Sequence, residues 1–398
     1  MSRRPPRARR TTTSRSSQTT VLIAVAVLLA AYYLYQEFRG SGQQPAAEPT
    51  PAGATAVAGG PAAQPTPQSG GADWYQLFFT TPRYPDKPEY HHGGIDEQLV
   101  AFIGTAQQTI DLADYDFDLE NVASALAQAS ARGVRVRMVT DTDTLTNDDP
   151  KVQKAFGILK KAKIPIVDDQ RPAIMHNKFL VVDNAAVWTG SWNFTDGDAY
   201  RLNNNAIRIA SPGLAQNYSA EFEKMFVGRN FGPSKPAGVP NPVLTIGGVR
   251  VENYFAPEDK VAAKVSQRIA RARQSIHFLA FSFTNDTIGQ AVVDRAKAGV
   301  EVKGVFETTG SETKFSEFGP MKQAGIDVLQ DGNPYVMHHK VFILDGRTVI
   351  FGSFNFSENA DKDNDENLLI VDDPALAQAF EAEFQRVREV ALNPPKKK

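Results

Sequence analysis

Short apolar runs rich in Val, Ile, Leu and Phe alternate along residues 74–390 with stretches whose apolar positions recur every three or four residues. The first kind has the length and composition of buried strands, the second the periodicity of amphipathic helices. Leu214, Tyr218, Phe222 and Phe226, spaced four apart, typify the second. The pattern predicts a strand over 109–115, a helix over about 120–132, a strand over 134–140, a helix over about 151–162 and a short strand over 164–167. Strands over 174–182, 187–190 and 204–209 and a closing helix over 212–227 follow. The succession then repeats: Gln108-Thr-Ile-Asp-Leu-Ala-Asp-Tyr-Asp-Phe117 parallels Gln274-Ser-Ile-His-Phe-Leu-Ala-Phe-Ser-Phe283, and Arg132-Gly-Val-Arg-Val136 parallels Ala298-Gly-Val-Glu-Val302, both at an offset of 166. An internal repeat of this kind predicts an α/β protein of two tandem duplicated α-β-α sandwich units, with largely buried sheets, packed about a pseudo-twofold axis.

Outside the repeat the pattern changes twice. Val21 to Tyr35 is an unbroken apolar and aromatic run, preceded by an Arg-rich stretch and followed by Phe38. At ~1.5 Å per residue such a segment just spans a ~30 Å hydrocarbon layer, so residues 19–38 are expected to form a transmembrane helix before the folded body. The arginines predict a cytoplasmic tail over 1–18, which places the rest of the chain outside a cell membrane crossed once. A cleaved signal peptide is the rival reading; no small-x-small cleavage site directly follows the apolar run. Residues 39–72 are dominated by Pro, Ala, Gly, Gln, Ser and Thr and are expected to be a flexible linker. The two halves are then expected over 73–235 and 236–392.

The 398 residues, 42% of them hydrophobic, suffice for a sizeable core. Cysteine is absent, which removes disulfides, thiolate metal sites and Cys nucleophiles. The formal charge of −2 is uneven: residues 1–39 carry seven arginines against Glu37, so the remainder is close to −8. An acidic body argues against an extended polyanion as partner, since phosphate contacts dominate nucleic-acid affinity, although a local cleft can still be positive.

Candidate chemistry lies in a second repeat. His-x-Lys-x4-Asp-x6-Gly-Ser-x-Asn occurs as His176, Lys178, Asp183, Gly190, Ser191, Asn193 and again as His338, Lys340, Asp345, Gly352, Ser353, Asn355, displaced by 162 throughout. The step from 166 to 162 is a loop-length difference. On a strand, residues i and i+2 share a face, so each His would project with its Lys, and each Ser with its Asn on the strand beside it. Packing the halves face to face would bring two imidazoles and two ammonium groups into one cleft. That set suits displacement at the phosphorus of a phosphodiester: one imidazole attacks, the other protonates the leaving oxygen, and the lysines stabilise the pentavalent transition state. Lys178 and Lys340 would supply the charge a metal supplies elsewhere, so no metal or other cofactor is expected.

These residues resemble the phospholipase D superfamily, which includes phospholipases D, cardiolipin synthases, cardiolipin hydrolases and a small bacterial nuclease. The resemblance covers essentially residues 74–390. It implies metal-independent catalysis through phosphohistidine, with roles for His176, Lys178, Asn193, His338, Lys340 and Asn355. Ser191 and Ser353 are expected to support the phosphate site, and Asp183 and Asp345 to be structural partners. The family also has a carboxylate that orients the motif His. Glu366, 28 residues after His338, supplies it in the second half, whereas Asn204 stands at the matching position of the first. The halves are therefore not expected to be interchangeable.

The function expected is that of a membrane-anchored phosphodiesterase hydrolysing a phospholipid headgroup ester, with the bilayer as anchor and substrate and no obligate protein partner. The alternatives are a metal-independent endonuclease, with nucleic acid as substrate, and a cardiolipin-synthase-like phosphatidyltransferase. Three other features read as unremarkable surface: Asp361-x-Asp-x-Asp365 as a solvated acidic loop leading to Glu366, His91-His92 as a rim loop, and Lys264, Arg268, Arg271 and Arg273 as a solvated helix face.

Overall fold

The computed structural model describes residues 73–396. The expected basic tail, anchor and linker, as well as residues 397–398, lie outside the described residues. Among the described residues no helix is long and apolar enough to cross a membrane.

Two mixed sheets build the body. The first half contributes β1 (Tyr75–Phe79), β2 (Thr109–Asp114), β3 (Arg135–Thr140), β4 (Ile166–Asp168), β5 (Lys178–Val182), β6 (Ala186–Gly190), the two-residue β7 (Leu202–Asn203) and β8 (Asn205–Ala210). The second contributes β9 (Val243–Ile246), β10 (Val249–Ala256), β11 (Ser275–Ala280), β12 (Glu301–Phe306), β13 (Asp327–Gln330) and the short β14 (Val336–Met337). It continues with β15 (Lys340–Leu344), β16 (Thr348–Gly352) and β17 (Glu366–Asp372). The sheets run β1-β8-β6-β5-β2-β3-β4 and β13-β12-β11-β15-β16-β17-β10-β9, so the order of all seven strands of the first recurs in the second, which adds β9 at one edge. β2, β3 and β4 are parallel, as are β11, β12 and β13, and the motif strands β5 and β15 enter antiparallel beside β2 and β11.

Side-chain alternation divides the cores. Phe179 and Val181 of β5 join a central core with Val341 and Ile343 of β15, whereas Leu180 and Val182 face an outer core with helices Ile95–Gly104, Glu120–Ala131 and Pro150–Lys161. Phe342 and Leu344 do the same in the second half. Both faces of β5 and β15 are therefore covered, which is why they read as continuous apolar runs. Leu214, Tyr218 and Phe222 of the helix Pro212–Phe226, and Leu376, Phe380 and Phe384 of the helix Pro374–Leu392, complete the central core. Burial is worth about 1.5–3 kcal/mol for each such side chain, and this core draws on both halves at once.

The motif strand begins later than its apolar pattern predicts. The ladder starts at Lys178, not at 174, because residues 174–177 pair with the other half. Met175 bridges Asp365 in parallel, the His176 N–H donates to the Asp365 carbonyl at 2.9 Å, and the Asp365 N–H donates to the Ile174 carbonyl at 3.0 Å. The pseudo-symmetric counterpart pairs β14 with β7, Met337 opposite Asn203, with the His338 N–H donating to the Asn203 carbonyl at 3.0 Å. Each catalytic-motif His is thus held by backbone from the opposite half.

The acidic loop before Glu366 is not solvated at its end. Asp365 is fully buried and pairs with Lys235 at 2.9 Å and Arg171 at 2.6 Å. Lys235, also buried, bonds Glu221 and lies 3.1 Å from Glu258. This cluster joins residues of both halves directly behind the His176 stitch. Breaking a buried pair by removing one partner costs about 3–5 kcal/mol. Lys235→Met, which leaves Asp365 to Arg171 alone and Glu221 and Glu258 to Lys224 alone, is therefore expected to lower unfolding free energy by about that amount in denaturant titration.

Candidate active site

The residues that orient the two motif histidines come crosswise. His176 Nδ1 donates to Glu366 Oε2 at 2.7 Å, and His338 Nδ1 donates to Asn204 Oδ1 at 3.0 Å. The sequence gives Glu366 as the second half's orienting carboxylate and Asn204 as its counterpart in the first; in the fold each half orients the imidazole of the other. The cause is the pair of backbone stitches, which seat residues 175–176 beside 365–366 and residues 337–338 beside 203–204.

Ser191 and Ser353 serve the orienting residues, not a phosphate. The Ser191 hydroxyl donates to Asn204 Oδ1 at 2.8 Å and accepts from the Asn205 N–H, while the Ser353 hydroxyl donates to Glu366 Oε2 at 2.7 Å and accepts from the Asn367 N–H. The preceding glycines permit this approach, since a Cβ on Gly190 or Gly352 would fall 2.3 Å from the carbonyl oxygen of Asn205 or Asn367. Lys178 and Lys340 are buried at the starts of β5 and β15, and each Nζ donates to its own histidine carbonyl, at 3.0 and 2.8 Å. Tyr115 packs against His176 with Lys178 above its ring, and Phe281 does the same for His338 and Lys340. Asn193 and Asn355 are buried with Oδ1 atoms lacking a hydrogen-bond partner.

Asp183 and Asp345 stand at the far ends of the motif strands, away from the histidines. Asp183 accepts from the backbone N–H groups of Gln107, Gln108 and Thr109, and Asp345 from those of Arg273, Gln274 and Ser275. They anchor the entry to β2 and β11. The His91 loop is more than a polar rim: His91 bridges Asp86 at 2.8 Å and Asp196 at 2.9 Å and stacks on Tyr200. Arg268 is likewise not simply solvated, since it pairs with Asp372 and Glu252.

Sequence reasoning missed Asp198. This fully buried carboxylate lies on the short helix Asp196–Tyr200, with Oδ1 3.3 Å from His338 Nδ1 and 3.0 Å from the Asn204 Nδ2 that donates to it. Its signal was weak because Ala360 occupies the matching position in the second copy, so the repeat did not mark it.

Electrostatically the cleft is short of negative charge. Burial, then Lys178 and Lys340, hold the His176 imidazole well below its ordinary range, and burial and Lys340 push His338 down to about 3 against the pull of Asp198. Burial also lowers both lysines, Lys340 further because Lys178 is near, while Glu366 and Asp198 oppose it. Burial raises Glu366 to about 8. Asp198 goes the other way: its burial is overcome by His338, Thr195 and Asn193, which hold it at about 2. Four groups able to carry positive charge thus sit in a dry site that an oxyanion would complete. Among the described residues, His, Asp and Glu side chains form no cluster of three or more suited to a metal.

A family model described as cardiolipin synthase, PLD-like domain, matches the chain twice, over residues 99–226 and 265–388. A phospholipase D of Rickettsia bellii is 34% identical over 131 residues, 33% of this chain and 65% of that protein, so the match spans just under two thirds of that relative. A mitochondrial cardiolipin hydrolase of Chlamydomonas reinhardtii is 30% identical over 165 residues, 35% of this chain and 74% of the relative. The crystal structure of phosphatidylserine synthase from Haemophilus influenzae shares the fold, with a TM-score of 0.56 at 12% identity over 73% of this chain and 84% of that one.

Two outcomes follow from the geometry. Asp183→Ala and Asp345→Ala each remove an acceptor from three backbone N–H groups; denaturation is expected to show about 1–2 kcal/mol lost, with kcat within about twofold of the parent. Binding of inorganic phosphate should raise the depressed pKa values of the buried bases, so the site takes up protons. Calorimetry at pH 7 in buffers of different ionisation enthalpy is expected to show net uptake; proton release would contradict the electrostatic picture.

Proposed function

The chain belongs to the phospholipase D-like family whose model it matches over both halves, and from that premise we propose that it is a phosphodiesterase working through a phosphohistidine intermediate. The observation that carries the reading is the crosswise engagement of both Nδ1 atoms, which leaves the two Nε2 atoms for chemistry at one phosphorus. In this reading His176 Nε2 attacks, the bond from phosphorus to the leaving oxygen breaks, and His338 Nε2–H gives that oxygen its proton. His338 then takes a proton from water as the water oxygen displaces His176, restoring both imidazoles. Lys178 and Lys340, with the amides of Asn193 and Asn355, stabilise the non-bridging oxygens.

The proposed substrate is a phospholipid headgroup ester. Support comes from relatives named phospholipase D and cardiolipin hydrolase, from the acidic body, and from the apolar segment at 21–35, read as an anchor that keeps the cleft outside the cytoplasm and within reach of a bilayer. The full-length chain in liposomes with EDTA present is expected to release headgroup from phosphatidylcholine or cardiolipin and to leave single-stranded DNA intact. DNA fragmentation would replace this substrate by nucleic acid, and headgroup exchange without hydrolysis would make the protein a transferase. His176→Ala and His338→Ala should each lower turnover by at least about 1,000-fold, and an alkaline denaturing quench should trap the phosphatidyl group on the parent but not on His176→Ala. Near-normal turnover in either variant would end the two-histidine reading.

A further inference from the structure

The halves exchange a carboxylate between two positions. At the repeat offset of 162, Glu366 corresponds to Asn204, and Asp198 corresponds to Ala360. The copy that lacks the glutamate therefore carries an aspartate where the other has alanine. In space the exchange converges on one place. Asn204 accepts from His338 Nδ1 at 3.0 Å and donates to Asp198 Oδ1 at 3.0 Å, while Asp198 Oδ1 itself lies 3.3 Å from His338 Nδ1. We propose that Asp198 is the positioning carboxylate of His338, standing in for the glutamate missing at 204. The proposal rests on the two-histidine reading above.

The surroundings favour this assignment. The charges facing His338 are Asp198 from the helix Asp196–Tyr200, Lys340 from β15 and Lys178 from β5, so Asp198 is the anion that stabilises its imidazolium. Asp198 is fixed in its charged form by the N–H and amide of Asn193, both at 3.2 Å, and by the Thr195 hydroxyl at 3.0 Å. With a permanent anion beside it, His338 regains its proton once a phosphodiester offsets the lysines. His176 has a different partner. Glu366, a carboxylate from the other half, holds it at 2.7 Å.

A purely structural role must be separated from this one, because the Asp198 carboxylate also accepts from the Asn193 N–H and the Thr195 hydroxyl. Asp198→Asn, Asn204→Glu and the double variant, each in the full-length chain, would be assayed on bis(4-nitrophenyl) phosphate from pH 5 to 9. Asp198→Asn is expected to lower kcat by about 10- to 100-fold, with KM within about twofold. Its alkaline limb should move to lower pH, because an imidazolium without its anion loses its proton more readily. The double variant should recover most of the loss, and the His338 imidazole, followed by ¹⁵N NMR with phosphate bound, should titrate lower in Asp198→Asn and return in the double variant.

An unshifted pH profile and an unshifted His338 titration in Asp198→Asn would reduce Asp198 to a structural acceptor for the Asn193 N–H and Thr195 hydroxyl and overturn the proposal, as would a double variant no better than the single. Should Asp198→Asn fail to fold, Glu366→Asn with Ala360→Asp makes the mirror exchange: recovery relative to Glu366→Asn alone supports a relocatable carboxylate, and no recovery refutes it. If His176→Ala or His338→Ala stays active, the underlying reading falls; if both are inactive while Asp198→Asn titrates like the parent, only the Asp198 assignment falls.

Discussion

Everything at the candidate site depends on backbone hydrogen bonds that cross from one half to the other. Through them His176 sits beside Asp365 and Glu366, and His338 beside Asn203 and Asn204. Either half alone would carry an imidazole without its orienting partner, and a sheet whose inner face lacks the central core. Duplication therefore does more here than double a motif. It makes the site a property of the interface, so folding of the shared core and assembly of the two imidazole pairs are one event.

The site is assembled at a cost to stability. Two histidines, two lysines, Glu366 and Asp198 are buried together, and burial disfavours the charged form of each. The surrounding polar network limits that cost. Ser191 and Ser353 satisfy the orienting groups, the lysines bond their own histidine carbonyls, and the Lys235 cluster holds Asp365 from behind. The centre of the cleft remains short of negative charge. A phosphodiester supplies it, so binding and protonation of the catalytic groups are coupled.

Pseudo-symmetry makes the departures from it informative. The Glu366 pair and the Asn204–Asp198 pair occupy related places yet differ in distance and basicity, and a two-step displacement asks different things of its two imidazoles. His339, which stands where the first half has Asn177, extends the asymmetry: its ring bonds Asn205 at 2.8 Å on one side and Glu383 of the closing helix at 2.9 Å on the other. The second half thus ties its motif to its last helix through an imidazole, whereas Asn177 bonds only the Asn367 amide and a methionine sulfur among the described residues.

Much of this protein was legible along the chain. Strand and helix order followed from apolar periodicity, because burial on one or both faces leaves a local imprint. The duplication and the paired His-x-Lys motifs were readable for the same reason, since identical spacing survives in one dimension. Asp183 and Asp345 were set apart from the reacting groups by the sequence, and only the fold showed what they hold, which is the backbone at the entry of β2 and β11. Contacts between residues about 130 to 190 positions apart leave no periodic trace. That Glu366 serves His176, that Asn204 serves His338, that Asp365 is a buried ion-pair centre, and that Asp198 reaches the second imidazole were decided by tertiary structure alone. Backbone pairing between the halves, not adjacency in sequence, sets which side chains come within hydrogen-bonding distance.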